Sequence, residues 1–390
     1  MVNKTLIVGG GIGGLAAALA CSRAGAEVGL FERSPEFSEV GAGVQLGPNV
    51  VKILHGWGLK DAMARVASFP ERLQVRCAQS GAELGVLRLG AVALERYGSP
   101  YVTIHRADLH ALLLHAVEQT QVRLQLGSSV AGFEQDEAGV TLKFGDGTLA
   151  HAGLLVGADG LWSQVRRQLL GDVAPMATGH LAYRAMVPQS SLPQHLRSQQ
   201  ITAWLGPKLH VVQYPVRGGE WLNVVAIVHG RTQGDPQNWD HSANAADLRG
   251  YMAHTFAPLQ ALIGAVDHWR LWGLNIRPPM QSAAEQAQGR VALLGDAAHP
   301  MVPYLAQGAG MAIEDAHVLA LALDQFGQSV PMALHHYAQS RWQRNARVQA
   351  GAIRNGEIFH ATGLVRWGRD AAMKLLGERL LDMPWLYNGV

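Results

Sequence analysis

Residues 4–32 read KTLIVGGGIGGLAAALACSRAGAEVGLFE, and this stretch decides the fold. Residues 5–8 are a short apolar, β-prone run that empties into Gly9, Gly11 and Gly14, spaced as G-x-G-x-x-G. Residues 15–23 follow as an alanine-rich helix able to lie close on a sheet, with Gly25 placed to end it. Residues 26–31 read as a second strand, and Glu32 stands at its end. Strand, glycine turn, small-residue helix, strand and terminal acid in register are the pattern of a dinucleotide-binding α/β unit.

Each residue type has a chemical reason. A pyrophosphate must come within hydrogen-bonding distance of amides at a helix N-terminus, where unpaired N–H groups and the helix dipole favour an anion. A side chain at Gly11 would block that approach. A carboxylate at Glu32 suits the hydroxyls of a ribose. A secretory leader also opens with a lysine and an apolar run, but it has no use for three spaced glycines or an acid at a strand end.

The composition narrows the partners. At 390 residues the chain has room for two or more domains. Lys and Arg number 32 against 30 Asp and Glu, so no global basic field points to nucleic acid, and a small-molecule partner is expected. Cys21 and Cys77 permit one disulfide at most, Cys21 reads as a packing residue, and a reducing cytoplasm fits. No apolar run is long enough to span a bilayer, and no Cys/His pattern assigns a metal.

Downstream, SPEFSEVGAGVQLGPN (34–49) is loop-like and would lie over the cofactor with Gln45 aimed at it or at the substrate; a plain surface turn is the competing reading. Residues 70–100 break into short strand-like pieces, and Arg106 falls near the start of a helix running to residue 117, as a phosphate partner or a solvated charge. Residues 122–150 read as a β-meander with a Gly145-Asp146-Gly147 turn, and residues 154–157 as a buried strand delivering Asp159 to a ribose or ribityl hydroxyl. Residues 178–280 are strand-rich and tryptophan-rich, suited to covering a flat ligand. Residues 290–294 return to a buried strand, followed by Asp296 and a glycine-bearing loop into a helix at 311–323. Helical segments at 332–360 and 371–381 and an apolar tail, PWLYNGV, close the chain.

With GGGIGG at 9–14, GADG at 157–160 and GDAAHP at 295–300 in order, the sequence resembles the single-component FAD-dependent aromatic hydroxylases, the group A flavoprotein monooxygenases. The resemblance covers nearly the whole chain. GAGVQLGPN (41–49), HRADLH (105–110), AYRA (182–185), WLGPKLHVVQYPV (204–216), HPMVPYLAQGAGMAIEDA (299–316) and WLY (385–387) place it nearest the branch of salicylate hydroxylase, 3-hydroxybenzoate 6-hydroxylase and 6-hydroxynicotinate 3-monooxygenase.

The fold then expected is α/β: a Rossmann-type FAD-binding domain (1–177 and 281–330, with 70–100 lent to its neighbour), a mostly antiparallel substrate domain (178–280) and a C-terminal helical segment (331–390). By position, the resemblance implies that Gly9, Gly11, Gly14, Glu32, Arg33, Arg106, Val130 and Asp159 contact FAD, Asp296 its ribityl chain, and Gly308, Ala309 and Gly310 its ring. His210 and Tyr214 fall where this branch contacts and deprotonates a substrate phenol; four residues apart in one strand, they share a face, as a structural His–Tyr pair would too. Arg184 is a candidate for a substrate carboxylate, and Gln45, Pro303 and Tyr304 for further substrate contacts. Tyr304 and Gln45 stand where the hydroxynicotinate enzyme has histidines, and Pro303 where the hydroxybenzoate enzyme has glutamine.

The activity implied is hydroxylation of a phenolic aromatic or N-heteroaromatic acid with NAD(P)H and O2, through a flavin C4a-hydroperoxide, by a cytoplasmic monomer or homodimer without stable membrane insertion. Rival readings are a hydroxylase or epoxidase of a polycyclic or lipid-like substrate, for which the amphipathic 364–381 segment speaks, and a non-catalytic FAD-binding sensor.

Overall fold

The computed structural model describes residues 4–37, 42–171, 174–231, 241–242 and 244–390. The opening motif forms as read: strand Lys4–Val8, helix Ile12–Arg23 and strand Glu27–Phe31. They sit in a six-stranded sheet ordered Ala287–Gln288, Val291–Leu293, Leu154–Gly157, Lys4–Val8, Glu27–Phe31, Arg123–Gln125. All pairs are parallel except the edge hairpin formed by the first two. Arg123–Gln125 was expected in the meander, but it extends the parallel sheet instead, beside Glu27–Phe31. The remaining strands of that region, Val130–Gln135, Val140–Phe144 and Leu149–Ala152, form a separate antiparallel sheet.

The alanines of Ile12–Arg23 let it lie against both the sheet and helix Gly308–Phe326, and the two helices share one core. Gly13 is part of that fit, since a Cβ there would stand 2.8 Å from Leu294 Cδ2 and 3.3 Å from Ala312 Cβ.

A second, eight-stranded sheet is ordered His241–Ser242, Arg270–Ile276, Met176–Pro188, Trp221–His229, Leu209–Val216, Ile201–Gly206, Arg72–Cys77, Glu83–Arg88. It is antiparallel except between Ile201–Gly206 and Arg72–Cys77. Strand side chains alternate between faces, and here the alternation separates two tasks. Tyr183, Val211, Ala226 and Val228 pack with Leu248, Leu259 and Ile263 of two short helices. Arg184, His210, Val212, Tyr214, Val225 and Ile227 face a cavity on the other side.

Helix Val330–Phe359 is 30 residues long. It is tied to Gly308–Phe326 by buried charges: Arg341 donates to Asp315 Oδ1 (2.7 Å) and Glu314 Oε2 (2.9 Å). Arg344 donates to both Glu314 oxygens and to the carbonyls of Trp385 and Leu386, which packs the chain's apolar tail on the body. No helix among the described residues is long and apolar enough to cross a membrane.

Candidate functional site

The cavity between the two large sheets has a volume of about 800 Å3, ample for a dinucleotide and a small ring. Its first wall is the glycine turn. Gly9 has φ +107°, a conformation closed to residues with a Cβ, and a Cβ on Gly14 would lie 1.8 Å from the Gly9 carbonyl oxygen. Gly9, Gly10 and Gly11 line the cavity, whereas Gly14 lies behind them and permits helix to meet strand. Gly11 caps Ile12–Arg23 with no side-chain hydrogen bond, so the first-turn amides are left for an anion.

Glu32 closes the turn by accepting from Gly10 N (2.6 Å) and Ser34 N (2.8 Å). His110, which sequence reading passed over, bonds the Gly10 carbonyl at 2.8 Å and pins the turn from helix Arg106–Glu118. Arg33, Arg106 and Val130 also line the cavity. Asp159 lines it too, but its carboxylate accepts from Ser163 Oγ (2.5 Å), Gln164 N (2.7 Å) and Val165 N (3.2 Å). These bonds organise the turn into helix Gln164–Leu170.

The second wall is the loop after Val291–Leu293. Asp296, Pro300, Met301 and Pro303 face the cavity, with Gly308 and Ala309 in the first turn of a helix that also lacks a side-chain cap. Burial pushes the Asp296 carboxyl up, against the pull of Arg106 and His299. Gly310 does not line the cavity; a Cβ there would meet Val50 Cγ2 at 2.8 Å. Asp315 holds this loop from beneath, accepting from Gly295 N and bonding His299 Nε2 at 2.5 Å. Ala306 takes φ +53° in this loop, the left-handed region that disfavours a side chain.

The third wall is the large sheet. Arg184 stacks its guanidinium 3.7 Å from the Trp272 ring centroid, and its buried Nε has no hydrogen-bond partner. Burial pushes its ionisation down to about 9, so it remains a cation at neutral pH. His210 is buried and bonds His360 Nε2 through Nδ1 at 2.7 Å; burial, then His180, push it down to about 3, leaving the ring neutral.

His210 and Tyr214 share the cavity face. The Tyr214 hydroxyl donates to the Gly43 carbonyl at 2.6 Å, which ties it to strand Gly43–Leu46. Asn223 accepts from Gly43 N at 2.7 Å and completes that clamp. Tyr304 does not line the cavity, because its hydroxyl meets His180 Nδ1 at 2.6 Å and its ring packs on Gly356 and near His210. Gln45 does line it, held by the Tyr101 hydroxyl at 2.8 Å.

An uncapped helix start behind the glycine turn, an acid lining the cavity at the end of the second strand, a second uncapped helix start and a cavity of this size fit FAD along the first two walls. The description "FAD binding domain" matches residues 3–352, and the chain belongs to that family as a flavin-dependent monooxygenase. Among its relatives, the 3-hydroxybenzoate 6-hydroxylase of Polaromonas naphthalenivorans is 38% identical over 388 residues, covering 98% of this chain and 95% of the relative. The 6-hydroxynicotinate 3-monooxygenase of Bordetella bronchiseptica is 38% identical over 352 residues, 89% of each chain. The solved Klebsiella pneumoniae HpxO complexed with FAD and uric acid superposes with a TM-score of 0.86 at 28% identity, covering 97% of this chain and 94% of that one.

Proposed function

We propose that this monooxygenase hydroxylates a phenolic aromatic or N-heteroaromatic acid, with NAD(P)H and O2 as co-substrates. The observation that carries this reading is the pairing, on one sheet face, of a half-buried cation with a buried, unfilled Nε–H donor, Arg184, and a buried neutral imidazole, His210. The body around the parallel sheet is the FAD-binding part, and the eight-stranded sheet supplies the substrate side. The names of the relatives, which act on 3-hydroxybenzoate and 6-hydroxynicotinate, support an acid bearing a ring hydroxyl.

FAD held along the first two walls would supply the redox chemistry, with NAD(P)H as the electron donor and O2 as the source of the ring oxygen, its second atom leaving as water. The chain's own residues position and ionise the substrate. Arg184 holds the carboxylate through its unfilled Nε–H, and Trp272 fixes the plane of the guanidinium. A phenol near pKa 10 is a weak nucleophile, whereas its phenolate directs charge to the ortho and para carbons. His210, with Nδ1 engaged by His360, offers Nε2 to the hydroxyl. Burial makes an isolated imidazole there a poor base, but the phenolate formed beside the imidazolium stabilises it by opposite charge. Tyr214 acts at one remove, fixing the Gly43 strand that borders the cavity.

The test is NADH and NADPH oxidation by the flavin-loaded protein across hydroxybenzoates, hydroxynicotinates and carboxylate-free phenols, with product and peroxide both quantified. Acceleration by an acid with stoichiometric hydroxylated product is expected. Acceleration and product only with carboxylate-free or lipid-like rings would overturn the acid assignment.

A further inference from the structure

His180, His229 and His360 lie beyond the end of the substrate cavity and outside its lining. One ring nitrogen from each falls within 4.8 Å of the others. The placement is fixed by backbone. His180 and His229 are direct cross-strand partners, so their rings leave the sheet on one face, with centroids 4.7 Å apart. His360 caps helix Val330–Phe359, and its carbonyl accepts from Lys208 N at 3.1 Å, which ties the cap to the same sheet.

The outward nitrogens of the two less exposed rings are already engaged. His180 Nδ1 faces the Tyr304 hydroxyl at 2.6 Å, and His360 Nε2 faces His210 Nδ1 at 2.7 Å. A hydrogen bond from the far nitrogen is what fixes tautomer and ring direction in a histidine that ligates a metal. It leaves the His180 Nε2 and His360 Nδ1 lone pairs, with His229 Nε2 3.1 Å from His360 Nδ1. Two imidazole nitrogens on one tetrahedral Zn2+, each about 2.0–2.1 Å from the ion, stand about 3.3 Å apart, close to that separation.

We propose that His180, His229 and His360 form a three-imidazole site for one borderline divalent transition ion of the Zn2+ class. The donor set carries no carboxylate, and the charges acting on it, Lys208 and Arg369, are cationic. Such a set excludes the hard, oxygen-seeking Mg2+ and Ca2+ and suits Zn2+, Ni2+ or Cu2+. Arg369 is paired with Asp370 at 2.7 Å, which tempers its repulsion. The exposed ring of His229 gives the ion its way in. With Nδ1 on the ion, His360 donates its Nε2–H to His210 Nδ1, so an ion here holds His210 as the Nε2–H tautomer, a hydrogen-bond donor to the substrate oxygen, and proton abstraction through His210 Nε2 belongs to the ion-free protein.

The experiment is calorimetric titration of Zn2+ into tag-free, flavin-loaded protein previously stripped of metal with a chelator, repeated for His229→Ala and His180→Gln. Saturation at one Zn2+ per chain is expected, with affinity lowered at least about tenfold in each variant at unchanged flavin content. Co2+ on the native protein adds a second readout, an intense tetrahedral d–d band at wavelengths longer than flavin absorption. Absence of one-to-one Zn2+ binding by the native protein, or binding unchanged in both variants, would overturn the site and leave the cluster as a hydrogen-bonded imidazole chain.

Discussion

The guanidinium of Arg184 sits over the indole of Trp272, its Cζ 3.7 Å from the ring centroid, with its Nε–H turned to no partner. Each residue is held by its strand, and the two strands are adjacent, with Ala182 opposite Trp272. A half-buried cation stacked on an aromatic ring, with a buried donor left over, is suited to grip a planar carboxylate. Arg184→Lys keeps the charge but loses the fork and the stacking. A charge-assisted hydrogen bond contributes about 1.5–3 kcal/mol, so KM for the aromatic acid should rise roughly tenfold or more, while the flavin content of the purified protein stays as in the native chain.

Tyr214→Phe separates positioning from proton transfer. Its hydroxyl donates only to the Gly43 carbonyl in this structure. Loss of one such bond costs about 0.5–1.5 kcal/mol, so a lower urea midpoint is expected with the pH dependence of substrate-stimulated NADH oxidation unchanged. A shifted pH profile would return Tyr214 to the proton path.

Gly14→Ala should abolish cofactor retention. The new methyl would sit 1.8 Å from the Gly9 carbonyl oxygen, a backbone atom that cannot yield without opening the turn. The expected product is a colourless or unfolded protein, read from the ratio of flavin to protein absorbance after desalting.

Glu32→Gln should weaken FAD without unfolding the chain. The carboxylate accepts from Gly10 N at 2.6 Å and Ser34 N at 2.8 Å, and an amide offers only one acceptor atom for the two. A loss of about 1.5–3 kcal/mol corresponds to a tenfold to hundredfold rise in the FAD dissociation constant, measurable by flavin fluorescence.

Acid should act through Asp315 and Glu314. Burial alone would raise the Asp315 carboxyl, but His299 and Arg341 hold it well below the usual carboxylate range; for Glu314, Arg344 and Arg341 outweigh burial in the same sense. Both folded values lie below the unfolded values near about 4. The unfolded chain therefore binds protons first, and the stabilisation present at neutral pH is lost as pH falls through and below that range. The urea midpoint should fall steeply below about pH 5, and Arg341→Met, which leaves two buried carboxylates short of a partner, should cost about 3–5 kcal/mol and remove much of that slope.

Much of this was legible in the chain because it rests on short-range regularities. G-x-G-x-x-G dictates a strand, a turn and a helix start, and Gly9, Gly11 and Gly14 took those places. The period of two in a strand put His210, Val212 and Tyr214 on one face, as the spacing required. Side chains in irregular segments carry no such period. Tyr304 sits in a single turn, Pro303–Leu305, and nothing in its neighbours says that its ring points away from the cavity while Pro303 faces it. The Asp159 carboxylate was read from its strand, but its direction was set by the helix that follows. Cross-strand register and long-range pairing were likewise hidden. His180 meets His229 only once two strands have paired, and Asp315 meets Arg341 only once two helices have.

The strand order of the six-stranded sheet bears on how the protein is made. Leu154–Gly157, apolar and fully buried in the finished molecule, lies between Lys4–Val8 and Val291–Leu293. A ribosome has therefore released the glycine turn and most of the second sheet before the third central strand exists. Until then one edge of a hydrophobic parallel sheet stands open, the loop bearing Asp296 is absent, and FAD has only half a site to bind. Cofactor loading belongs to the end of synthesis, and the open edge is the stage at which this chain is most exposed to aggregation.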